Sequence, residues 1–257
     1  MKSVDILIRD SKIVYEEVEV NGHKGFILKP GNQQILPGCP WIWYAPTIMG
    51  SYPSSEENFW MFRQLLDAGL PICGVDVGES YGNSDGRKIY TEFYEKIVAD
   101  YVFSPRPRLL PQSRGGLMLY LWAAENPDYV ECIAGIFPVC DINSYPLSHP
   151  WGLPEVCDAY GMTESELRTY IQYHNPVDRM EPLAQRKIPV LHVHGDQDQS
   201  VPLENNSDAL ARRYCDLGGT MKVIVIKGKG HEVCPEFFQS QPLVDFLLSG
   251  GHFTVQE

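Results

Sequence analysis

The sequence predicts an α/β fold in which helices cover both faces of a mostly parallel central sheet. From residue 41 onward, short apolar runs alternate with helical stretches, which is typical of strands joined by crossover helices. Before that point the pattern differs. Residues 14–20 alternate polar and apolar side chains, and a second strand-like run follows the turn Asn21-Gly22. The first forty residues are therefore expected to add antiparallel strands at the edge of the sheet.

Five apolar runs are the predicted strands of the parallel part: residues 41–45, 71–77, 130–139, 188–193 and 221–226. Two pairs, Ser54 with Glu57 and Thr163 with Glu166, have the spacing of a capping box, so a helix is predicted to begin at each. The second pair falls in a Pro- and aromatic-rich segment, approximately 142–187. We interpret this segment as a small lid inserted over the sheet edge.

Length and composition exclude several classes of protein. The 257 residues predict one domain, 1–257, and 44% hydrophobic residues suffice for a packed core. Asp and Glu outnumber Lys and Arg by 33 to 21, a formal net charge of −12, which disfavours binding to nucleic acid and to anionic membranes.

Targeting signals and cysteine usage indicate the compartment. No apolar run is long enough to span a bilayer, and charges interrupt the first ten residues where a signal peptide would be apolar, so we expect a cytoplasmic protein. Seven cysteines without repeated spacing are expected to be reduced and mostly buried.

The most informative segment surrounds Ser113. It lies between a short apolar run and an almost entirely apolar helical stretch, with Gly115 two residues after it. A serine on a sharp turn between a strand and a helix exposes its hydroxyl, and small neighbours two positions away allow that turn. Pro111 stands where the G-x-S-x-G pattern has its first glycine. Ser113 is the predicted nucleophile, and an ordinary loop serine is the alternative.

An acid and a histidine follow in the order expected of a hydrolase. Asp198 lies in the loop after a late strand, and His231 lies in a glycine-lined loop after the last predicted strand. The order Ser, Asp, His is that of α/β-hydrolases and differs from the orders in chymotrypsin and subtilisin. Asp196 and Asp141 are the alternative acids.

From about Trp41 to Leu248, these features resemble the α/β-hydrolase superfamily. The run 113–117 with 122–124, 126–127 and 138–141 also resembles a bacterial branch often found near polysaccharide-processing enzymes, which implies an esterase that acts on carbohydrates. Gly82, Ser84 and Gly86 are similar to the loop after the superfamily's fourth strand.

The chemistry of these residues predicts an acyl-enzyme mechanism that needs no cofactor. His231 would remove the proton of Ser113, and Asp198 would fix the imidazole tautomer and stabilise the imidazolium. The backbone N–H of Arg114, at the start of the apolar helix, is the first predicted donor to the oxyanion. Thr47 is the predicted second donor, with Ile48 as the next choice, because Pro46 has no N–H.

Other chemistries are weaker. His192 and His194 have same-face strand spacing, and the segment 231–234 could add a ligand, but no further ligands have metal-like spacing, so no metal is predicted. Cys140 and Cys234 are interpreted as core or loop thiols. The Arg114 side chain could recognise a carboxylate or form an ion pair at the helix start. The aromatic residues Tyr52, Trp60, Tyr145 and Trp151 do not decide the substrate.

The sequence therefore predicts a serine esterase for carboxylic esters, with acetylated carbohydrates preferred, acting on a small-molecule or carbohydrate substrate. One alternative is a peptidase of the prolyl oligopeptidase type, for which the forty residues before Trp41 look too few to form the usual large N-terminal domain. The other alternative is a non-catalytic binding protein, suggested by Pro111. A homo-oligomer is left open.

Overall fold

A computed structural model describes residues 12–31 and 35–253. Within these ranges eight strands form one sheet, in the order β1-β2-β4-β3-β5-β6-β7-β8. The strands are β1 (Ile13–Val20), β2 (His23–Pro30), β3 (Ile42–Ala45), β4 (Ile72–Val75), β5 (Arg108–Pro111), β6 (Cys132–Ile136), β7 (Val190–Gly195) and β8 (Met221–Ile226). The expectation about a signal peptide falls on the first ten residues, which lie outside the described ranges.

The direction of the strands confirms the predicted fold class. β1 and β2 form an antiparallel pair, and β2 also runs antiparallel to β4. From β4 to β8 every neighbouring pair is parallel. The sheet is thus mostly parallel with antiparallel N-terminal strands, as the change of pattern near residue 41 predicts.

Nine α-helices are present in the described part of the chain. They are α1 (Ser55–Asp67), α2 (Ser84–Tyr101), α3 (Gly115–Glu125), α4 (Gly152–Tyr160), α5 (Glu164–Tyr170), α6 (Glu181–Gln185), α7 (Ser207–Asp216), α8 (Pro235–Phe238) and α9 (Gln241–Leu248). Short 3₁₀ turns lie at Pro127–Tyr129, Ile171–Tyr173 and Pro176–Asp178.

Helices cover both faces of the sheet, and each face has its own apolar core. On one face α2, α3 and α7 contribute to one apolar cluster, in which the ring centroids of Trp43 and Trp122 lie 4.6 Å apart. On the other face α1, α8 and α9 pack around residues such as Phe62 and Phe246. α3 is buried on all sides except at its end, which explains why its sequence is apolar without periodicity. This burial fixes the start of α3, where Ser113 lies.

The two capping boxes have different outcomes. Thr163 and Glu166 form the box at the start of α5, as predicted. Ser54 does precede α1, but its side chain makes no capping hydrogen bond. The prediction of a box there is wrong, because the Glu57 carboxylate instead accepts a hydrogen bond from Gln112 Nε2 at 3.0 Å.

The segment 142–187 joins β6 to β7 and contains α4, α5 and α6. Its apolar side chains, among them Val156 and Leu167, form a third cluster with Tyr81 and Leu117, next to the start of α3. No helix in the ranges 12–31 and 35–253 has the length and apolar character needed to cross a bilayer.

Candidate active site

Ser113 occupies the sharp turn between β5 and α3. Its φ of 48° lies in the left-handed region, which a residue with a side chain seldom adopts. Backbone hydrogen bonds hold this conformation: Ser113 N–H donates to the Ile136 carbonyl at 3.0 Å, and Gly116 N–H donates to the Ser113 carbonyl at 2.9 Å. The turn lifts the hydroxyl away from the backbone, at the carboxyl end of the parallel strands.

A small residue is required two positions after Ser113 but not two positions before it. A Cβ atom on Gly115 would lie 2.2 Å from the Ala45 carbonyl oxygen, so only glycine fits. Pro111 is the last residue of β5 and lies opposite Ala45. It precedes the turn, so the departure from the G-x-S-x-G pattern leaves the geometry at Ser113 intact.

The structure brings the three predicted residues together. Ser113 Oγ lies 2.9 Å from His231 Nε2, and His231 Nδ1 lies 2.7 Å from Asp198 Oδ2. The Asp198 side chain is fully buried, whereas the His231 ring is partly exposed. The ring packs against Phe137, with centroids 4.3 Å apart. These contacts orient the imidazole with one nitrogen toward the hydroxyl and the other toward the carboxylate.

Asp198 is held in its charged form by the groups around it. Burial opposes its ionisation, but hydrogen bonds from His194, His231 and the Val201 N–H outweigh burial and hold the pKa of this carboxyl well below its ordinary value. The alternative acids have other partners. Asp196 accepts from Gly228 N–H at 2.7 Å, and Asp141 accepts from Asn175 Nδ2 at 3.0 Å.

A cleft of about 170 Å³ opens in front of Ser113. Its lining is Pro46, Tyr52, Glu57, Gln112, Ser113, Arg114, Phe137, His231, Glu232 and Val233. The Arg114 guanidinium donates to Glu79 at 2.6 Å and lies 5.8 Å from the centre of the Tyr52 ring. The side chain of Arg114 therefore forms the ion pair that was one of its two predicted roles.

The two predicted oxyanion donors are placed differently. Arg114 lines the cleft, and its N–H has no backbone acceptor within residues 12–31 and 35–253. Thr47 is buried and does not line the cleft; the hydrogen bond that it makes to the Tyr44 carbonyl at 3.4 Å comes from its hydroxyl, not from the N–H that was predicted to donate. The Ile48 N–H donates to the Tyr52 carbonyl at 3.1 Å, so it is also engaged.

A buried network under the cleft positions Glu57. The Tyr44 hydroxyl donates to Gln112 Oε1 at 2.7 Å, and Gln112 Nε2 donates to Glu57 Oε2 at 3.0 Å. Burial raises the pKa of the Glu57 carboxyl, although the hydrogen bond from Gln112 opposes the change. The spacing of Glu57 from Ser54 predicts a helix cap, and no local pattern predicts this contact, because its partner is 55 positions away.

A sequence model of the prolyl oligopeptidase family matches residues 109–244, which is more than half of the chain and includes all three residues. The chain belongs to the prolyl oligopeptidase family. Together with the fold, membership makes the protein a serine hydrolase of the α/β-hydrolase class. A search of curated protein sequences found no match.

Solved structures share the fold at low sequence identity. Dipeptidyl peptidase 4 of Porphyromonas gingivalis superposes with a TM-score of 0.69 at 14% identity, over 92% of this chain and 35% of the peptidase. Est1E from Butyrivibrio proteoclasticus superposes with a TM-score of 0.68 at 19% identity, over 92% of this chain and 98% of Est1E. A truncated form of a carbohydrate esterase from gut microbiota superposes with a TM-score of 0.69 at 15% identity, over 95% of this chain and 98% of the esterase chain. The chain spans about a third of the length of the dipeptidyl peptidase.

The other candidate groups have different surroundings. His192 and His194 are buried and hydrogen-bonded to Ser207 Oγ, and the described part of the chain holds no cluster of three or more possible metal ligands. All seven cysteines are free. Cys140 is buried, whereas Cys234 is partly exposed and Cys215 is exposed, so the expectation that the cysteines are mostly buried holds for only some of them.

Proposed function

We propose that this serine hydrolase cleaves carboxylic esters through an acyl-enzyme intermediate, with Ser113 as nucleophile, His231 as general base and Asp198 as the carboxylate that orients His231. The observation that supports this most directly is the unbroken path from Ser113 Oγ to His231 at 2.9 Å and from His231 to Asp198 at 2.7 Å. An ordinary loop serine would not need a left-handed backbone, an imidazole and a buried carboxylate in line.

The first step forms a bond from Ser113 Oγ to the ester carbonyl carbon while His231 Nε2 takes the hydroxyl proton. The carbonyl oxygen becomes an oxyanion. The Arg114 N–H stabilises it, because this N–H is free and lies at the start of α3, where the helix dipole favours negative charge. Collapse breaks the bond to the alcohol, which leaves with the proton from His231. Water then repeats the sequence and releases the acid.

For the second oxyanion donor we propose the Tyr52 hydroxyl in place of Thr47. Tyr52 lines the cleft together with Ser113 and Arg114, and its ring centre lies 5.8 Å from the Arg114 guanidinium. The Ile48 N–H donates to the Tyr52 carbonyl, and Thr47 is buried and does not line the cleft. A phenolic O–H can donate to an oxyanion as a backbone N–H does.

The size of the cleft favours short acyl groups. About 170 Å³ is below the ~300 to 1,000 Å³ of most ligand pockets, so a long acyl chain would remain in solvent. Acetyl esters of sugars are the first substrates to test, because the run 113–117 resembles the bacterial esterase branch and because one neighbour in fold is a carbohydrate esterase.

The experiment compares acetyl and longer acyl esters of p-nitrophenol, acetylated sugars, and labelling by a fluorophosphonate. Ser113→Ala should lose both hydrolysis and labelling. Cys234→Ala, which removes a thiol near His231 in sequence, should keep both. Unchanged hydrolysis or labelling in Ser113→Ala would overturn the proposal.

A peptidase is the second candidate, and the family match supports it. Two carboxylates, Glu57 and Glu232, line the cleft with Ser113 and would suit a substrate that carries an amino group. Dipeptide p-nitroanilides with free and acetylated amino termini distinguish the two candidates. Faster cleavage of the free-amine anilides than of acetyl esters would favour the peptidase.

A further inference from the structure

Next to Asp198, four buried polar side chains form a continuous row of hydrogen bonds that the proposed mechanism does not use. They are Tyr120 on α3, His192 and His194 on β7, and Ser207 at the start of α7, and we call them the buried array. None is more than 1% exposed. Polar groups buried to this degree are retained where each finds a partner.

The distances within the buried array are those of good hydrogen bonds. The Tyr120 hydroxyl lies 2.6 Å from His192 Nε2, and His192 Nδ1 lies 2.8 Å from Ser207 Oγ. The same Oγ lies 2.7 Å from His194 Nδ1. Ser207 therefore joins the two imidazoles, which face the same side of β7 because they are two residues apart.

The fold provides the space for this arrangement. On the neighbouring strand β6, Gly135 lies opposite His192, and a Cβ atom there would be 2.6 Å from His192 Cδ2. Glycine weakens a strand interior, so its presence indicates that the close approach of another group is needed. The imidazole of His192 is that group.

The far end of the buried array meets the acid. His194 Nε2 lies 2.8 Å from the Val201 carbonyl oxygen and 3.4 Å from Asp198 Oδ2. Both partners can only accept, since one is a carbonyl and the other a carboxylate, so the hydrogen of His194 must be on Nε2. Val201 N–H in turn donates to Asp198 Oδ1 at 2.8 Å. His194 thus ties the turn that carries Asp198 to β7.

This fixed end sets the direction of every other hydrogen. With its hydrogen on Nε2, His194 accepts from Ser207 O–H through Nδ1. Ser207 has only one hydrogen, so it accepts from His192 Nδ1–H, and His192 Nε2 accepts from Tyr120 O–H. Burial, with His194 nearby, lowers the pKa of His192 well below its ordinary value, so His192 is neutral as this direction requires.

We propose that the buried array is a positioning device for Asp198: it fixes His194 so that its Nε2–H, which donates to the Val201 carbonyl, also lies 3.4 Å from the carboxylate, and this nearby N–H limits how strongly Asp198 attracts the proton on His231. The inference rests on the proposed roles of Asp198 and His231. An N–H group whose positive end lies beside a carboxylate stabilises its negative charge and so weakens its pull on the imidazolium. A general base must remain unprotonated at the working pH, so this restraint keeps His231 available.

The other charges near His231 do not touch the buried array. In the cleft they are Glu57, Glu232 and Arg114, and Lys229 pairs with Glu232 and Glu236. Asp198 itself faces His194, His231 and the N–H groups of Ser200 and Val201. Substitutions in the buried array leave all the other charges in place, so their effect on His231 isolates the array.

The test uses NMR of the full chain with ¹⁵N-labelled histidine, which needs no substrate. It reads the tautomers of His192 and His194, and it follows the titration of His231 from about pH 5 to about pH 9. The variants are His194→Leu, which removes the donor, His194→Gln, which restores an N–H, and Ser207→Ala, which interrupts the row. Tyr214→Phe is the matched control, since this buried tyrosine on α7 donates to the Ile188 carbonyl at 2.6 Å outside the array.

We expect His194 to carry its hydrogen on Nε2 and His192 on Nδ1. The midpoint of the His231 titration should move upward by roughly half a pH unit in His194→Leu and by less in Ser207→Ala. His194→Gln should return it toward the wild-type value. Tyr214→Phe should lower the melting temperature and leave the midpoint unchanged.

An Nδ1–H tautomer of His194, or an unchanged or lower midpoint in both His194→Leu and Ser207→Ala, would overturn the inference. If His194→Leu does not fold, Ser207→Ala and the tautomers decide. Fluorophosphonate labelling of the wild type distinguishes this result from failure of the proposed function: a protein that is not labelled refutes the reaction, whereas a labelled protein with an unchanged midpoint refutes only the role of the array.

Discussion

Asp198 and Asp196 are two residues apart, but they differ in what they can do for His231. Asp198 Oδ2 accepts from His231 Nδ1 at 2.7 Å, while the Asp196 carboxylate accepts from Gly228 N–H. Asp198→Asn should lower kcat by roughly 10³- to 10⁴-fold, because an amide cannot hold the required tautomer of the imidazole. Asp196→Asn is the matched control and should stay within about threefold of wild type in kcat. Equal losses in the two variants would contradict the assignment.

The proposed role of the Tyr52 hydroxyl as an oxyanion donor can be tested by removing it. If its hydroxyl donates to the oxyanion, Tyr52→Phe should lower kcat by roughly 10²-fold with little change in KM, since the contact forms only as charge develops. Tyr145→Phe is the control, because that ring packs on His149 and Trp151 and does not line the cleft. A change in KM alone would indicate that Tyr52 binds the ground state and is not an oxyanion donor.

At the level of residues, the sequence could predict those whose signal is local. Ser113 has its turn and its following glycine, and His231 has its place after the last strand. The contact of Glu57 with Gln112 could not be predicted. It depends on where a helix from another part of the chain comes to lie, and it has no signature in neighbouring residues.

At the level of elements, one capping motif occurs twice and forms once. Thr163 accepts from Glu166 N–H and the Glu166 carboxylate accepts from Thr163, whereas Ser54 makes no capping bond. Thr163→Ala should therefore lower the free energy of unfolding of α5 by about 1 kcal/mol, and Ser54→Ala should leave that of α1 nearly unchanged. Hydrogen exchange of the amides in each helix measures both. A loss at α1 equal to that at α5 would show that Ser54 forms a cap in solution.

The outcome at α1 also shows what limits prediction at this scale. The spacing of Ser54 and Glu57 is sufficient to place the start of the helix, because a serine before an apolar periodic run already predicts it. The same spacing does not predict whether the capping hydrogen bonds form, since Gln112, the residue after β5, donates to the Glu57 carboxylate. Strand ends are similar: the apolar run 130–139 is longer than β6, which ends where Phe137 takes a φ of 33°.

For the whole molecule, the class of fold follows from the sequence because it depends on periodicity repeated along the chain. The order of the strands in the sheet does not follow from the sequence. β4 lies between β2 and β3, and this position depends on which strand edges and sheet faces can pack together. The meeting of Ser113, Asp198 and His231 follows once the strands are parallel, since their carboxyl ends then share one edge of the sheet.

The stability of the whole molecule should depend on His192. Its folded pKa is lowered far below the ordinary value of 6.5, so below that pH the unfolded chain binds a proton that the folded chain does not. The stability that His192 contributes is complete above pH 6.5 and is lost as the pH falls. The free energy of unfolding should therefore decrease by about 1 kcal/mol between pH 6.5 and about 5.5. Asp198 does not interfere, because its own contribution is lost only as the pH falls below its unfolded value of 3.8.

Urea unfolding at the two pH values, on wild type and on His192→Gln, measures this dependence. In the variant, the glutamine can still form a hydrogen bond with Ser207 or Tyr120, but it has no group that titrates between these pH values. The free energy of unfolding of the variant should therefore fall by about 1 kcal/mol less than that of wild type. The difference between the two proteins therefore reports the histidine at position 192. If the free energy of unfolding falls equally in the two proteins, His192 becomes protonated without unfolding. That result would also contradict the direction of the hydrogen bonds inferred for the buried array.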